Sequence, residues 1–195
     1  SHSKKVVPAA VEFTDIAGLV RGAAEGEGLG NQFLAHIRET DAIAEVVRVF
    51  NDPNIIHVHN AVNPLYDIEV INLELAIADM AVVAKRRLSL EKELKQGKKE
   101  AILESSALTK LEKALEKGEA ARTVALGGEE KAAVKSAGLL SAKPALYILN
   151  ITGGGEKDIP EDLKNFLKKE RATWVALDAS LECDIASAPE GDRAR

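Results

Sequence analysis

The sequence predicts an α/β fold: a mostly parallel sheet into which an antiparallel helical hairpin is inserted. Three observations carry this. Short apolar runs alternate with segments of helical period, as expected when helices cross over between parallel strands. One run, ALYILN (Ala145 to Asn150), is almost continuously apolar, as a strand covered on both faces must be. Between residues 68 and 140 the alternation stops and a heptad-like spacing replaces it.

In chain order, the first predicted strand is Ala10 to Thr14. A helix follows over NQFLAHIRET (Asn31 to Thr40), with Phe33, Leu34 and Ile37 on one face and Asn31 as its expected N-cap. AIAEVVRVF (Ala42 to Phe50) is the second strand. Ile68, Ile71, Leu75, Ala78 and Val82 then recur at intervals of 3 and 4, the period of a coiled-coil seam, and Leu108, Leu111 and Leu115 repeat it. The polar ELKQGKKE between them, with Gly97, predicts the turn of a helical hairpin. A third helix over Glu129 to Leu140 leads back to the strand at Ala145. PEDLKNFLKKE (Pro160 to Glu170) opens on Pro, carries acids in its first turn and lysines in its last, the order a helix dipole favours. TWVALDA (Thr173 to Ala179) is the last strand.

Composition narrows the function. The net charge of −5 argues against binding nucleic acid through overall charge, while leaving a local basic patch open. A single cysteine, Cys183, cannot form a disulfide within the chain and suits a reducing, cytoplasmic compartment. No apolar run approaches the ~20 residues that cross a bilayer, so no membrane partner is expected. The opening SHSKK reads as tag-like, and both ends read as cut.

The most informative stretch is FTDIAGLVRGAAEGEGLGNQF (Phe13 to Phe33), with five glycines in 21 residues. Asp15 stands after an apolar strand, three residues before Gly18, in a D-x-x-G arrangement. A carboxylate at the carboxyl end of a parallel strand sits where such sheets bind ligands. It can hold Mg²⁺ through water. Gly18 would let a backbone N–H approach a terminal phosphate with no side chain in the way, and the glycines at 22, 26, 28 and 30 would let the next segment order and relax. By itself D-x-x-G is equally compatible with an aspartate capping a turn.

The longer string DIAGLVRGAAEGEGLGNQFLAHIRETDAI closely resembles the switch II region of the Obg family of P-loop GTPases, in particular its YchF subgroup of Obg-like ATPases. NDPNIIHV, DIEVINLELAIADM and EEKAAVKSAGLLSAKPALYILN extend the resemblance over nearly the whole chain. It implies a P-loop NTPase-type sheet, present in part, and a nucleoside triphosphatase using Mg²⁺ with GTP or ATP. It implies three parts: residues 4–67 of a nucleotide-binding domain, an inserted helical coiled coil at 68–140, and the rest of the nucleotide domain with its base-reading loops at 141–195. The expected phosphate loop G-x-x-x-x-G-K-[ST] is not found in these 195 residues, nor are the switch I threonine and the TGS domain. The chain therefore reads as truncated and as inactive alone.

The resemblance also assigns residues. Leu19 follows Gly18 where Ras-like enzymes place a glutamine that orients water; leucine cannot, so His57 is the candidate for that role, its imidazole suited to hold water near neutral pH. The alternative is an ordinary loop histidine. His59 is close enough to be confused with it, and His36 is more simply structural. Asn150, with Ile151 behind it, ends the third strand where the base is read. The YchF pattern N-x-x-E, linked to weak guanine selection and ATP use, is broken here, because Gly153 holds the acidic position and the next acids are Glu156 and Asp158. ATP against GTP stays open. Ala179 and Ser180 fall where backbone N–H groups contact the base in this family.

KRRLSLEKELKQGKK (Lys85 to Lys99) has seven basic residues against two acidic. Lys85, Arg86, Arg87, Lys95, Lys98 and Lys99 form either a solvated helix face or a basic tip touching ribosomal RNA. With few aromatics for stacking, phosphate contact is expected rather than base reading. A second reading of the whole chain is a non-catalytic module acting on the ribosome, RNA or a protein through its hairpin.

Overall fold

The structure, a computed structural model, describes residues 9–16, 29–52, 62–153 and 155–189. It is an α/β fold: a three-stranded parallel sheet in the order β1 (Ile43–Arg48), β2 (Ala145–Asn150), β3 (Thr173–Leu177). Its register sets Glu45 beside Tyr147 and Tyr147 beside Trp174. The β2 to β3 crossover is α5 (Glu161–Lys169), whose Leu163 and Leu167 are buried under the sheet with Val47, Tyr147 and Leu149. On the other face Val46 and Val175 remain 68% and 42% exposed.

Almost a hundred residues separate β1 from β2, and most are helical. α1 (Leu29–Glu39) precedes β1. After β1 comes α2 (Pro64–Lys95), 32 residues and about 48 Å long at 1.5 Å per residue. Its start is explicit: the Asn63 side chain accepts the Tyr66 N–H at 3.1 Å, and Pro64 stands where no helical donor is needed. A turn with Gly97 at φ +70° reverses the chain into α3 (Lys99–Leu115), since a left-handed residue ends the helix cheaply only as glycine. A 3-10 helix (Ala121–Thr123), α4 (Gly128–Val134) and a left-handed Gly138 complete the return.

The expected hairpin forms, but its seam differs. Ile68 is buried in the sheet core. Leu75, with Ile71 and Ala78, packs instead with Leu34, Ile37 and Leu140. Ala76, Val83 and Leu90 meet Leu108, Leu111 and Leu115 of α3, with Val82 at the margin. A single strip cannot face three partners, so α2 buries several sides of its first turns and only its distal half is a two-helix arm.

Four further expectations are corrected. Residues 10–14 form no strand; Val11 and Phe13 are 78% and 79% exposed. Pleated backbone becomes a strand only when a neighbour takes its hydrogen bonds, and the described sheet offers them none. Asn31 lies inside α1 rather than capping it. The third returning helix is shorter than Glu129 to Leu140, because Gly138 at φ +63° ends its 3-10 extension. The last strand stops at Leu177, because Asp178 caps a helix not foreseen, α6 (Ala179–Ser187). Among the described residues no helix is long and apolar enough to cross a membrane.

Candidate functional site

At the carboxyl ends of β1 and β2 the chain leaves a cleft of about 260 Å³ lined by Val49, Phe50, Asn51, Ile151, Thr152 and Asp158. Beside it the Arg48 guanidinium lies 4.7 Å from the centre of the Phe50 ring, a cation–π contact, and donates to the carbonyls of Phe50 and Asp52. This is the edge of a parallel sheet where ligands bind, because strand ends and helix starts converge there.

The loops leaving β2 and β3 are tied together at this edge. Asn150 Oδ1 accepts the Ala179 N–H at 3.2 Å, and Asp178 Oδ2 accepts the Gly153 N–H at 2.9 Å. The other oxygen of Asp178 caps α6 through the N–H groups of Ser180 and Leu181, each at 3.1 Å. Bonds from the Gly153, Leu181 and Ser180 N–H groups hold the Asp178 carboxyl below its ordinary range, with Gly153 contributing most. Gly153 takes φ +52°, which glycine adopts with little strain. The position where the family pattern carries an acid thus supplies a backbone donor, and the nearby carboxylate is Asp178.

The expected site residues divide into three groups. Asn150, Ile151, Ala179 and Ser180 come together, with the N–H groups of Ala179 and Ser180 already engaged within the protein. Asp15 is exposed and outside any strand; its neighbour Ile16 packs against the Leu34, Ile37, Leu75 and Leu140 cluster. Gly18, Leu19, His57 and His59 lie outside the described residues. Asp178 was not foreseen, although an aspartate before a helix-forming stretch is a recognised N-cap signal.

Among the described residues no three His, Cys, Asp or Glu side chains converge as a metal cage. Asp15, the carboxylate expected to hold Mg²⁺ through water, is exposed but does not end a strand as that expectation required.

The basic residues of the arm are unequal. Arg86 binds Glu104 of α3 through two bonds of 2.6 and 2.8 Å, and this pairing raises its pKa further above the usual guanidinium range. Arg87 is paired with Glu112. Lys98 lies 3.6 Å from Glu93. Lys85, Lys95 and Lys99 are exposed and make no ion pair among the described residues.

No family model matches the chain. Individual proteins do. The ribosome-binding ATPase YchF of Bacillus subtilis (strain 168) is 45% identical over 191 residues, which is 95% of this chain and 52% of that protein. The protein of the same name from Escherichia coli O157:H7 is 43% identical over 192 residues, covering 97% of this chain and 53% of its own length. The solved structure of the Schizosaccharomyces pombe YchF GTPase superposes with a TM-score of 0.72 at 30% identity, over 91% of this chain and 50% of that one. The chain thus spans about half the length of the curated relatives it matches.

Proposed function

Over nearly all of its length this chain belongs to the YchF family, and from that premise we propose that it carries the base-reading edge, switch II segment and helical arm of a cytoplasmic, ribosome-associated nucleoside triphosphatase. The supporting observation is the pair of cross-links Asn150–Ala179 and Asp178–Gly153. They tie two loops together at the carboxyl edge of the sheet through the protein's own groups, which lowers the ordering that binding there must supply.

In this reading residues 4–67 and 141–195 belong to the nucleotide-binding domain and 68–140 to the inserted arm. Asn150 and Ile151 face the base, with Ala179 and Ser180 in the supporting loop. Asp15 would help to hold Mg²⁺, Gly18 would leave room for the terminal phosphate, and His57 would orient the attacking water, because Leu19 offers it no hydrogen bond. Bound Mg²⁺ would neutralise charge developing on the phosphate oxygens. Lys85, Lys95, Lys98 and Lys99 are the arm's candidates for ribosomal RNA phosphates. Arg86 and Arg87 act chiefly as struts between its helices. With no G-K-[ST] loop to cradle phosphates, these 195 residues alone hydrolyse nucleotide feebly at most.

Fluorescence titration of the chain with labelled ATP and GTP, each with and without Mg²⁺, tests this. The expected outcome is weak saturable binding that Asn150→Ala abolishes, with little hydrolysis. Binding indifferent to Asn150→Ala would overturn the base-reading assignment. A brisk Mg²⁺-dependent turnover from clean protein would overturn the feeble activity.

A further inference from the structure

At the opposite, amino edge of the sheet lies a second cleft of about 220 Å³, lined in part by Arg122, Thr123, Tyr147, Glu170, Arg171 and Thr173. Thr173 is the first residue of β3, so this cleft is separate from the carboxyl-edge site.

Two guanidinium groups open onto it. Arg122 is anchored by neutral acceptors: its Nη2 donates to Asn72 Oδ1 and Tyr147 Oη, each at 2.8 Å, and its Nη1 to the Ser141 carbonyl at 3.4 Å. Tyr147 and Asn72 are 2% and 8% exposed, so the group is held on a buried polar base. No carboxylate lies within 4 Å of Arg122 among the described residues. The acid coupled to it by charge, Glu45, is buried with one oxygen unpartnered, and burial pushes it up to about 8. Glu45 is therefore largely protonated at neutral pH and leaves the Arg122 charge uncompensated.

Arg171 is the second cation. It follows the end of α5, where the Ala172 N–H reaches back to the Leu167 carbonyl at 2.9 Å, and its φ is +49°. Glycine is the usual occupant of such a position, and a side chain there is strained. The chain places an arginine in that strained position, beside the cleft that Arg122 also lines. Its side chain makes no ion pair among the described residues. Glu170 is the one acid of the lining, against two arginines; the Thr123 hydroxyl is spent on the Ala120 carbonyl at 2.8 Å, and Thr173 adds a hydroxyl.

We propose that this cleft binds a phosphate group between Arg122 and Arg171, either of a small phosphorylated molecule or of an RNA backbone. Guanidinium groups match phosphate oxygens in charge and in paired donor geometry. The proposal stands independently of nucleotide binding at the carboxyl edge.

The test is an NMR titration of the ¹⁵N-labelled 195-residue chain with inorganic phosphate, repeated with a short single-stranded RNA, on the parent and on Arg171→Gly. Glycine relieves the left-handed strain while removing the guanidinium, so loss of binding cannot be blamed on a failed fold. The expected result is saturable shifts at Thr123 and at residues 171–173, with affinity reduced about tenfold in Arg171→Gly, as loss of a charge-assisted contact implies. RNA that shifts the same amides and competes with phosphate identifies a backbone phosphate as the ligand. Shifts from phosphate alone identify a small molecule. Shifts confined to other residues, or identical affinity in parent and Arg171→Gly, would overturn the site.

Discussion

Asp79 and Ser141 are joined twice although 62 residues separate them: Asp79 Oδ2 accepts the Ser141 N–H at 2.8 Å and the Ser141 hydroxyl at 2.6 Å. Asp79 Oδ1 accepts the Leu140 N–H at 2.7 Å. Both residues are fully buried. Ser141 Oγ also accepts the Ala121 N–H at 2.9 Å, so one hydroxyl links α2, the 3-10 helix that follows α3 and the segment returning to β2. Burial raises the Asp79 pKa and outweighs the three bonds that favour its charged form.

Removing this anchor should be costly. Asp79→Ala strands two backbone donors and a hydroxyl, each at a cost of about 1–3 kcal/mol, so a loss of about 3–5 kcal/mol is expected in urea unfolding. Asp79→Asn keeps one acceptor oxygen and should lose less. A loss below about 1 kcal/mol for the alanine variant would show that the arm is held some other way.

Glu45 should make stability depend on pH. Its folded pKa, raised to about 8 by burial, exceeds the unfolded value of about 4.5. As pH rises between these values the unfolded chain releases the proton while the folded chain keeps it. Stability therefore falls across that window, by up to about 1.4 kcal/mol per pH unit from this group, and levels off above it. Glu45→Gln should gain on the parent progressively from pH 5 to pH 8 in urea midpoints. A constant difference across that range would contradict the assignment.

Asp178 should matter to binding more than to folding. It is not buried, so Asp178→Ala is expected to shorten or fray α6 and release Gly153 with only a modest fall in unfolding midpoint. Nucleotide affinity should fall by about fivefold or more, because loop ordering must then occur on binding. Equal affinities in the two proteins would detach this cross-link from nucleotide recognition.

The basic residues of the arm should separate by pairing. Lys95→Glu with Lys99→Glu, two lysines that make no ion pair among the described residues, is expected to weaken ribosome association and flatten its salt dependence. Arg86→Gln should leave association nearly unchanged and instead lower stability by roughly 1 kcal/mol, since its guanidinium is held by Glu104 at a partly exposed site. Co-sedimentation at two salt concentrations, paired with thermal unfolding, reads both effects. The reverse ranking would place the RNA contact on the arginines.

The sequence by itself determined what depends on local period and local chemistry. The apolar run Ala145–Asn150 is β2 to the residue, although only its Tyr147 and Leu149 face is buried and the expected cover on both faces is not met among the described residues. The turn at Gly97 and the helices on either side follow from spacing and from one residue's tolerance of positive φ. The same apolar run puts Asn150 at the end of the strand, whereas its part in reading a base comes from the resemblance and not from the period. Only the tertiary structure decided which polar groups are spent. Arg86 finds Glu104 18 residues away, Arg122 finds Asn72 50 away, and Asn150 finds Ala179 29 away. Such bonds form because elements packed by apolar burial bring their polar groups within 3 Å or so of one another, where an unpaired group would be costly. Sequence period places a residue on a face, but the packing of a second element decides what that face meets.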